Sequence, residues 1–593
     1  MKKNSKLISR LFRKSVLSMM AAAVAAMLGM VIDGVIIGRF LGADCMAAYD
    51  LIMPVLNLAT AFAGVLALGS QVVCAQRMGA GDVKGARKAF SMTMVITAIL
   101  SITLIAIFFF FRSQICVMLG ARDESAKLLP LASDYLLGLL PAFPCVLLIL
   151  EFNSLMRLDG DPNRVIVAVS VMTVLDVTGN MLNALVFHGG MLVMGLTTSI
   201  SYFVALIIML FHFRRKDIVF KPSLKNLRWR DAGAILITGS SSGMGSGCAM
   251  LRIAVINQIM VATALSSIAL AAYGIVNAII SFVSGTMVGI GMTCAMIAGM
   301  ILGEQDRSAA EDLVRVTLKT IVGVGLVMFV VLFAFADVIA NVFKGDGGEE
   351  AVKLAARGLR FYAVGITLYG INNGFVSYTQ GMRRMVYSNV VCFLQNFVFI
   401  VVPAFILSRF IKGEHETDAV WISFIICEVL TFLTIFTIAA VRKKGFPCHI
   451  KDFLFLREPF GAPQEEIFEV SVTQEEEIIP ASQSIGEFCN SKGASGDQCY
   501  LISKFIQEIA THIAQTGFSD KHDRNLDIRV VHMKNGWIIR LRDNCKTVDT
   551  NEWMRLSSQD KSGDNPGIRQ ITGLAKDINY MTTLDLNILT IRL

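Results

Sequence analysis

Long apolar stretches alternate with short polar connections from residue 16 to residue 441. Many of these stretches are about 20 residues long, the length with which an α-helix crosses roughly 30 Å of hydrocarbon. The pattern therefore predicts an all-α polytopic membrane protein with twelve transmembrane helices. The predicted spans lie near 16–37, 47–72, 88–111, 128–152, 164–187, 190–212, 236–260, 269–298, 313–338, 358–380, 386–408 and 419–441.

Lysine and arginine are concentrated in alternate loops between the predicted spans. The loops rich in these residues are the N-terminal segment, 76–88, 212–230, 381–385 and 441–445. Because such loops face the cytoplasm in membrane proteins, we expect a multi-pass protein of the cell (inner or cytoplasmic) membrane with both termini in the cytoplasm. The N-terminal segment resembles the basic region of a signal peptide. The apolar run after it is too long and lacks a clear cleavage site, so we interpret it as the first span.

An internal repeat relates the two halves of the apolar region. Residues 31–90 align with residues 255–314 without a gap. The alignment superposes Asp33 on Asn257, Gly79 on Gly303 and Asp82 on Asp306. We therefore expect two six-helix lobes, residues 1–211 and 232–445, joined by a basic cytoplasmic linker at 212–231. Two such lobes in parallel repeat are a transporter architecture, with the substrate path between them near the midplane.

Composition separates the membrane region from a soluble one. The 593 residues are 54% hydrophobic and only 17% charged, against about 25% charged in soluble domains. Charged residues return after residue 460, which indicates a soluble domain that follows the last span. The net charge of +8 lies mostly in the short loops, so it does not indicate nucleic-acid binding. The twelve cysteines include no C-x-x-C pair, which argues against a zinc site or a disulfide framework.

Acidic and amide side chains lie inside two spans of the first half. Asp33 is surrounded by apolar residues in span one, where a charge costs at least a few kcal/mol. Span five carries Asp176, Asn180 and Asn183, whose spacing puts them on one helical face. Together these oxygens would suit Na⁺, or a carboxyl group among them would bind and release a proton. Alternatively, the polar groups only hold helices together.

Several short motifs resemble those of the multidrug and toxic compound extrusion (MATE) family. They are D-G-V-I-I-G-R-F-L-G at the end of span one, A-A-Y-D after it, G-A-G-D…A-R-K-A after span two and Q-G-M-R-R after span ten. The resemblance covers about residues 10–445. It implies two six-helix lobes that expel organic compounds, often cationic, in exchange for Na⁺ or H⁺, with a cation site on spans one and five. The family's usual N-x-x-x-D order on span five is reversed here, as Asp176-x-x-x-Asn180.

The second half lacks the corresponding acid. Asn257 replaces it in the repeat, and span ten offers Asn372 and Asn373 but no carboxylate. We therefore expect ion coupling in the first lobe and place these residues on a possible substrate path. Arg252 is predicted either to pair with an acid across the lobe interface or to contact an anionic substrate. Glu428 on span twelve is either a second proton site or a packing partner.

The soluble region is predicted to be a small α/β domain at 481–593, after a linker at 446–480. We predict a helix at 499–515 and a hairpin at 527–544 whose type I′ turn is Asn535-Gly536. A further helix is predicted to begin in 565–579, and a final strand to cover 587–593.

The order of these elements resembles the GHKL ATP-binding fold of anti-sigma-factor kinases. Glu508, Asp543 and Gly567 stand at the matching places. His512 replaces the family's Mg²⁺-binding Asn, and the turn after Asp543 lacks the glycine that lets backbone approach a nucleotide. We therefore expect a degenerate site that does not require ATP or Mg²⁺, in a domain that binds a regulatory protein or dimerises.

The sequence as a whole predicts a secondary active exporter and not an enzyme. The expected partners are a small-molecule substrate, the lipid bilayer and a cytoplasmic regulatory protein. Two alternatives remain at this point: a flippase of lipid-linked saccharides, and a membrane sensor that relays to its cytoplasmic domain.

Overall fold

The computed structural model describes residues 6–121, 128–215, 218–223, 227–263, 266–342, 348–517, 525–533, 536–545, 550–559, 565–584 and 586–593. The first half of the membrane region contains helices α1 Lys6–Ile36, α2 Ala43–Gly79, α3 Val83–Phe110, α4 Arg112–Leu119, α5 Leu128–Leu139, α6 Ala142–Leu158, α7 Pro162–Leu182 and α8 Gly190–Leu210. The second half contains α9 Trp229–Val261, α10 Ser266–Glu304, α11 Arg307–Ala334, α12 Ala336–Val342, α13 Gly348–Gly381, α14 Met385–Phe393, α15 Phe399–Phe410 and α16 Asp418–Lys443.

Nine helical segments among the described residues are long and apolar enough to cross a membrane. A tenth is the pair α5 and α6, which is bent by 49°. The span predicted at 128–152 is therefore a broken helix, and its bend lies next to Pro141, which has no N–H to continue the hydrogen-bond ladder. The spans predicted at 16–37 and 358–380 lie in α1 and α13, which are not among these ten.

Two superposed positions of the repeat, Asp82 and Asp306, have equivalent structural roles. Asp82 caps α3, where its Oδ1 accepts a hydrogen bond from Gly85 N at 2.7 Å. Asp306 caps α11 in the same way, accepting from Ala309 N at 2.9 Å. An aspartate at this position satisfies one of the backbone N–H groups that a helix leaves unpaired at its start.

The two lobes are packed together at the ends of α2, α9 and α10. A Cβ on Gly79 of α2 would lie 2.0 Å from the Met300 carbonyl oxygen, and a Cβ on Gly303 of α10 would lie 2.0 Å from the carbonyl oxygen of Gln76. The Arg77 guanidinium also binds Asp231 of α9 at 2.5 Å. Only residues without a side chain allow this approach, so the glycines set the distance between the lobes at this end.

The soluble domain is a five-stranded antiparallel sheet with helices on one face. Its strands are β1 Ile467–Val472, β2 Leu526–Met533, β3 Gly536–Asp543, β4 Asp577–Thr583 and β5 Leu586–Arg592, in the order β1-β2-β3-β5-β4. Its helices are α17 Ile478–Ser491, α18 Gly496–Gly517, α19 Thr550–Gln559 and α20 Pro566–Leu574. The predicted hairpin and final strand correspond to β2, β3 and β5, but Asn535 of the predicted turn lies outside the described residues.

The sheet begins earlier than the predicted domain boundary at residue 481. Strand β1 lies inside the segment 446–480, which we predicted to be a linker, and Val470 pairs with Ile528 of β2. The acidic residues around β1 obscured its alternation of apolar and polar positions. Strand β4 and helices α17 and α19 were not predicted either.

The second face of the sheet lies against both lobes of the membrane region. Arg529 and Arg542 bind the carboxylate of Asp306, which caps α11 of the second lobe, and Arg542 also binds Glu304. In the first lobe, Thr583 Oγ1 donates to the Leu158 carbonyl oxygen at 2.6 Å. The domain therefore bridges the two lobes at the end where they are packed together.

Further bonds join this face to the loop between α2 and α3. Asn579 Nδ2 donates to the Gly81 carbonyl oxygen at 2.8 Å, and Arg592 donates to that of Ala80 at 3.1 Å. The edge of the sheet formed by β4 and β5 thus contacts the first lobe, while β2 and β3 contact the second.

Candidate functional site

A polar cluster inside the first lobe joins α1, α7 and α8. Asn180 Nδ2 of α7 donates a hydrogen bond to Asp33 Oδ1 of α1 at 2.9 Å. Thr197 of α8 in turn donates its hydroxyl hydrogen to Asn180 Oδ1. Asp33 and Asn180 are both buried. The predicted neighbourhood of Asp33 and Asn180 thus exists as a direct contact.

Asp176 lies next to this pair, one helical turn before Asn180. Its carboxyl group is buried and adjacent to Asp33, Thr198 and Ser201. One of its oxygens, Oδ1, accepts no hydrogen bond from the described residues. Because buried oxygens are nearly always paired, this oxygen is available to bind a cation or a proton.

Three tyrosines, none of which is among the predicted site residues, surround the two carboxyl groups. Tyr49, Tyr135 and Tyr202 lie close enough to interact electrostatically with Asp33 and Asp176. The rings of Tyr49 and Tyr135 are 5.7 Å apart between centroids. Tyr49 belongs to the A-A-Y-D motif, which is the one signal that could have placed it here.

Asn183 is not part of this cluster, although its spacing predicted the same helical face. Its Nδ2 donates to the Gly190 carbonyl oxygen and its Oδ1 accepts from Gly189 N, both at 3.0 Å. The backbone becomes π-helical at Asn183–Phe187, which changes the residue spacing at this point. Asn183 therefore holds the turn between α7 and α8.

The first-lobe cluster offers two carboxyl groups beside an amide and the hydroxyl groups of threonine, serine and tyrosine side chains. Hard oxygen donors of this kind suit Na⁺, and the unpaired oxygen of Asp176 leaves room for a further contact. Two neighbouring carboxyl groups also suit a proton, because like charges repel and one proton relieves the repulsion. The residues present therefore fit either ion.

A second polar cluster lies in the other lobe around Glu428 of α16. Its Oε2 accepts hydrogen bonds from Asn372 Nδ2 at 2.8 Å and from Gln395 Nε2 at 2.9 Å. The same Asn372 amide also donates to the backbone carbonyl oxygen of Glu428 at 3.0 Å. Glu428 therefore joins α13, α16 and the π-helical segment Leu394–Val398.

The remaining residues of the predicted substrate path do not all line one cavity. Arg252 and Glu428 line one cavity of about 230 Å³ in the second lobe. Within the described part of the chain, Arg252 forms no ion pair across the lobe interface, and its role stays a prediction. Asn373 donates to the Met287 carbonyl oxygen at 3.3 Å, and Asn257 is half-buried outside the cavity lining.

The residues that match the nucleotide-binding motif are engaged within the soluble domain. The Glu508 carboxylate accepts from Gly567 N at 3.2 Å and from Ile568 N at 2.9 Å, which caps α20. Asp543 Oδ1 accepts from Cys545 N at 2.9 Å and from Asn587 Nδ2 at 2.8 Å.

His512, at the position of the Mg²⁺-binding residue, stacks on Trp553. The two ring centroids are 3.8 Å apart and the planes differ by 8°. Burial in this stack lowers the pKa of His512 below its usual value, because the charged imidazolium is desolvated. A neutral stacked ring is not a ligand arrangement for Mg²⁺, which prefers oxygen donors.

The two-lobed bundle of long apolar helices, with buried polar clusters inside each lobe, defines a membrane-spanning transporter fold. The MatE family profile matches residues 18–182 and 245–406, more than half of the chain, so the chain belongs to the MatE family.

Two curated proteins are similar to the membrane region. The probable multidrug resistance protein YoeA of Bacillus subtilis (strain 168) is 22% identical over 418 residues, which cover 69% of this chain and 88% of that protein. The multidrug export protein MepA of Staphylococcus saprophyticus is 23% identical over 426 residues, which cover 70% of this chain and 91% of that protein.

Solved structures share the fold of the membrane region. An outward-facing multidrug resistance MATE family transporter of the MOP superfamily superposes with a TM-score of 0.69 at 18% identity, covering 75% of this chain and 98% of that one. A MOP superfamily transporter from Pyrococcus furiosus, whose structure is described by a binding pocket of reverse polarity, gives a TM-score of 0.68 at 19% identity, covering 74% and 99%.

Proposed function

We propose that this protein is a secondary active exporter with twelve spans and both termini in the cytoplasm of the cell. It expels organic cationic or amphipathic compounds in exchange for Na⁺ or H⁺. The names of the two curated relatives, a multidrug resistance protein and a multidrug export protein, support export of drug-like compounds. They do not favour a flippase of lipid-linked saccharides or a membrane sensor.

The observation that carries the coupling proposal is the contact between Asp33 and Asn180 beside the unpaired oxygen of Asp176. An exporter alternates between a conformation open to the cytoplasm and one open to the outside. A coupling ion must bind in one of these conformations and leave in the other. One bound Na⁺ or H⁺ compensates one of the two carboxylate charges, which relieves the repulsion between Asp33 and Asp176 and draws α1 towards α7. Release of the ion restores the repulsion between the carboxyl groups and moves α1 away from α7. The ion therefore binds more tightly to the conformation in which α1 and α7 are close.

The experiment that tests this proposal uses purified protein in proteoliposomes with an imposed Na⁺ or H⁺ gradient. Ethidium movement is followed in the wild type and in Asp33→Asn. We expect the variant to fall to roughly a tenth of the wild-type rate or less, because an amide cannot carry the exchanged charge. Asp134→Asn on the exposed face of α5 is the matched control and should transport normally. Equal transport by Asp33→Asn and wild type would show that the coupling site lies elsewhere.

For the soluble domain we propose a regulatory role with a GHKL-like fold that does not require ATP. Support comes from the internal engagement of Glu508 and Asp543 and from the stacking of His512. Because the domain binds loops of both lobes at their closed ends, docking favours the arrangement that is shut towards the cytoplasm. Opening to the cytoplasm requires these contacts to break or to shift.

A further inference from the structure

The second-lobe cavity contains a charged side chain that the coupling mechanism does not use. Arg252 lies nine residues before the end of α9, and Glu428 lies ten residues after the start of α16 at the same face of the membrane. At 1.5 Å per residue both are roughly 14–15 Å deep. Such a position is expensive for a guanidinium group unless it is paired or serves a function.

Two hydrogen-bond donors that line this cavity have no partner among the described residues. They are Arg252 Nε and the hydroxyl group of Tyr362, both of which are buried atoms. Arg252 is also close enough to Tyr362 and Tyr369 to interact with them electrostatically. Unpaired buried donors in a native protein call for an explanation, and a ligand acceptor provides one.

The carboxyl group of Glu428, which also lines this cavity, accepts hydrogen bonds from two neutral amides. The Oε2 atom of Glu428 accepts hydrogen bonds from Asn372 and Gln395. Arg252 is close enough to Glu428 to interact with it electrostatically, but the described side chains form no ion pair with each other. Arg252 Nε therefore keeps a hydrogen-bond donor for a ligand, while the Oε2 atom of Glu428 is held by the two amides.

We propose that this cavity is a subsite for an oxyanion carried by an amphipathic substrate, such as a carboxylate on an aromatic compound. Arg252 and the Tyr362 hydroxyl donate to the oxyanion, while the rings of Tyr369 and Phe424 contact the apolar body. The inference rests on the proposed export function and narrows its substrate class. Compounds that carry an acid group would be recognised in the second lobe, and the coupling cation in the first.

The test compares two fluorescent ligands that differ only in the oxyanion. 7-Diethylaminocoumarin-3-carboxylic acid and its ethyl ester are titrated against the full-length protein in neutral detergent, and binding is followed by fluorescence anisotropy. The wild type should bind the acid more tightly than the ester. Arg252→Gln should weaken binding of the acid by roughly 10–100-fold and leave the ester unchanged, because only the acid has a charge-assisted bond to lose.

Two further variants control for misfolding and for general charge effects. Arg252→Lys keeps the charge and should recover part of the preference for the acid. Arg409→Gln removes an arginine whose guanidinium lies over Phe405, outside the cavity, and should bind both ligands as the wild type does. If Arg252→Gln keeps the wild-type preference for the acid, or loses acid and ester binding equally, the subsite is not where we place it.

The oxyanion could belong to a solute or to an anionic lipid headgroup. Repeating the titration in nanodiscs with and without phosphatidylglycerol separates these sources, since displacement of the acid by the lipid identifies a headgroup site. Ethidium transport by the wild type is measured in parallel. Absence of ethidium transport would contradict the proposed export function, while the acid and ester titrations would still decide the subsite.

Discussion

At the scale of single residues, the hydrogen bond between Asn180 and Asp33 links the two helices that carry the first-lobe acids. Asn180 has the spacing expected for a partner of Asp33, and so does Asn183. The structure uses only Asn180 in the cluster and uses Asn183 in a turn. The two residues therefore form a natural pair for comparison.

We predict that Asn180→Ala shifts the cation dependence of transport and that Asn183→Ala does not. Loss of the amide leaves Asp33 Oδ1 without its donor, and a bond to a charged group contributes about 1.5–3 kcal/mol. The concentration of Na⁺, or the pH, that gives half-maximal ethidium export measures the effect. Asn183→Ala should lower the thermal stability of the detergent-solubilised protein while that midpoint stays constant. An identical midpoint shift in both variants would contradict the assignment.

The two acids of the cluster could be predicted from the sequence, but the side chains that surround them could not. A carboxylate within an apolar span is a strong signal, because its cost requires a compensating role. The tyrosines around Asp33 and Asp176 carry no such signal, since an aromatic residue in a span is most often ordinary packing. The π-helical turn that places Asn183 outside the cluster depends on local hydrogen bonding, which the periodicity of the sequence does not encode.

At the scale of helices, glycines fix how closely α2 approaches its neighbours. A Cβ on Gly239 of α9 would lie 1.9 Å from the Val65 carbonyl oxygen, and a Cβ on Gly69 would lie 2.2 Å from that of Ile235. Such contacts leave no space for any side chain, so α2 and α9 meet backbone to backbone. In membranes, small residues at a helix interface provide much of the packing energy.

We predict that Gly239→Ala destabilises the interface between the lobes by about 1–3 kcal/mol, the usual cost of overpacking. Gly247→Ala on the same helix is the matched control, since nothing lies within 4 Å of its Cβ and alanine favours a helix. The midpoint of thermal unfolding, followed by size-exclusion chromatography after heating, compares the two. If Gly247→Ala lowers the midpoint of thermal unfolding as much as Gly239→Ala does, the effect comes from alanine in the helix and not from the contact between the lobes.

Helix boundaries were easier to predict from the sequence than breaks or isolated strands. Most apolar stretches coincide with described helices, because length and hydropathy decide membrane insertion. The bend between α5 and α6 depends on Pro141, whose effect in a membrane helix varies with its neighbours. Strand β1 depends on pairing with β2, more than 50 residues away, which no local pattern reveals.

At the scale of the whole molecule, charged side chains join the soluble domain to the second lobe. Arg540 and Arg542 lie between the sheet and the membrane region with 11% and 13% of their side chains exposed, and Glu304 lies beside them. Burial lowers the pKa of Arg540 to about 10, since desolvation outweighs its acidic neighbours. The acidic neighbours raise the pKa of Arg542 above its usual value, so both groups carry charge at neutral pH.

We predict that Arg542→Glu releases the domain from the second lobe. Reversing the charge leaves Glu304 and Asp306 facing a third carboxylate, and breaking a buried ion pair costs on the order of 3 kcal/mol. Hydrogen exchange at residues 299–306 and at β3 should become faster. Arg569→Glu on the exposed side of α20 changes the charge equally and should leave this exchange unaltered. Unchanged exchange in Arg542→Glu would mean that other contacts suffice to hold the domain.

Because the soluble domain contacts both lobes, its docking and ligand binding in the membrane region must affect each other. If docking of the domain raises the affinity of the membrane region for a ligand by a given factor, thermodynamic linkage requires that the ligand strengthen docking by the same factor. A dye attached to the exposed Cys448, between α16 and the domain, would then respond to what is bound in the membrane. The docking equilibrium of the domain would thus report whether a ligand is bound in the membrane region.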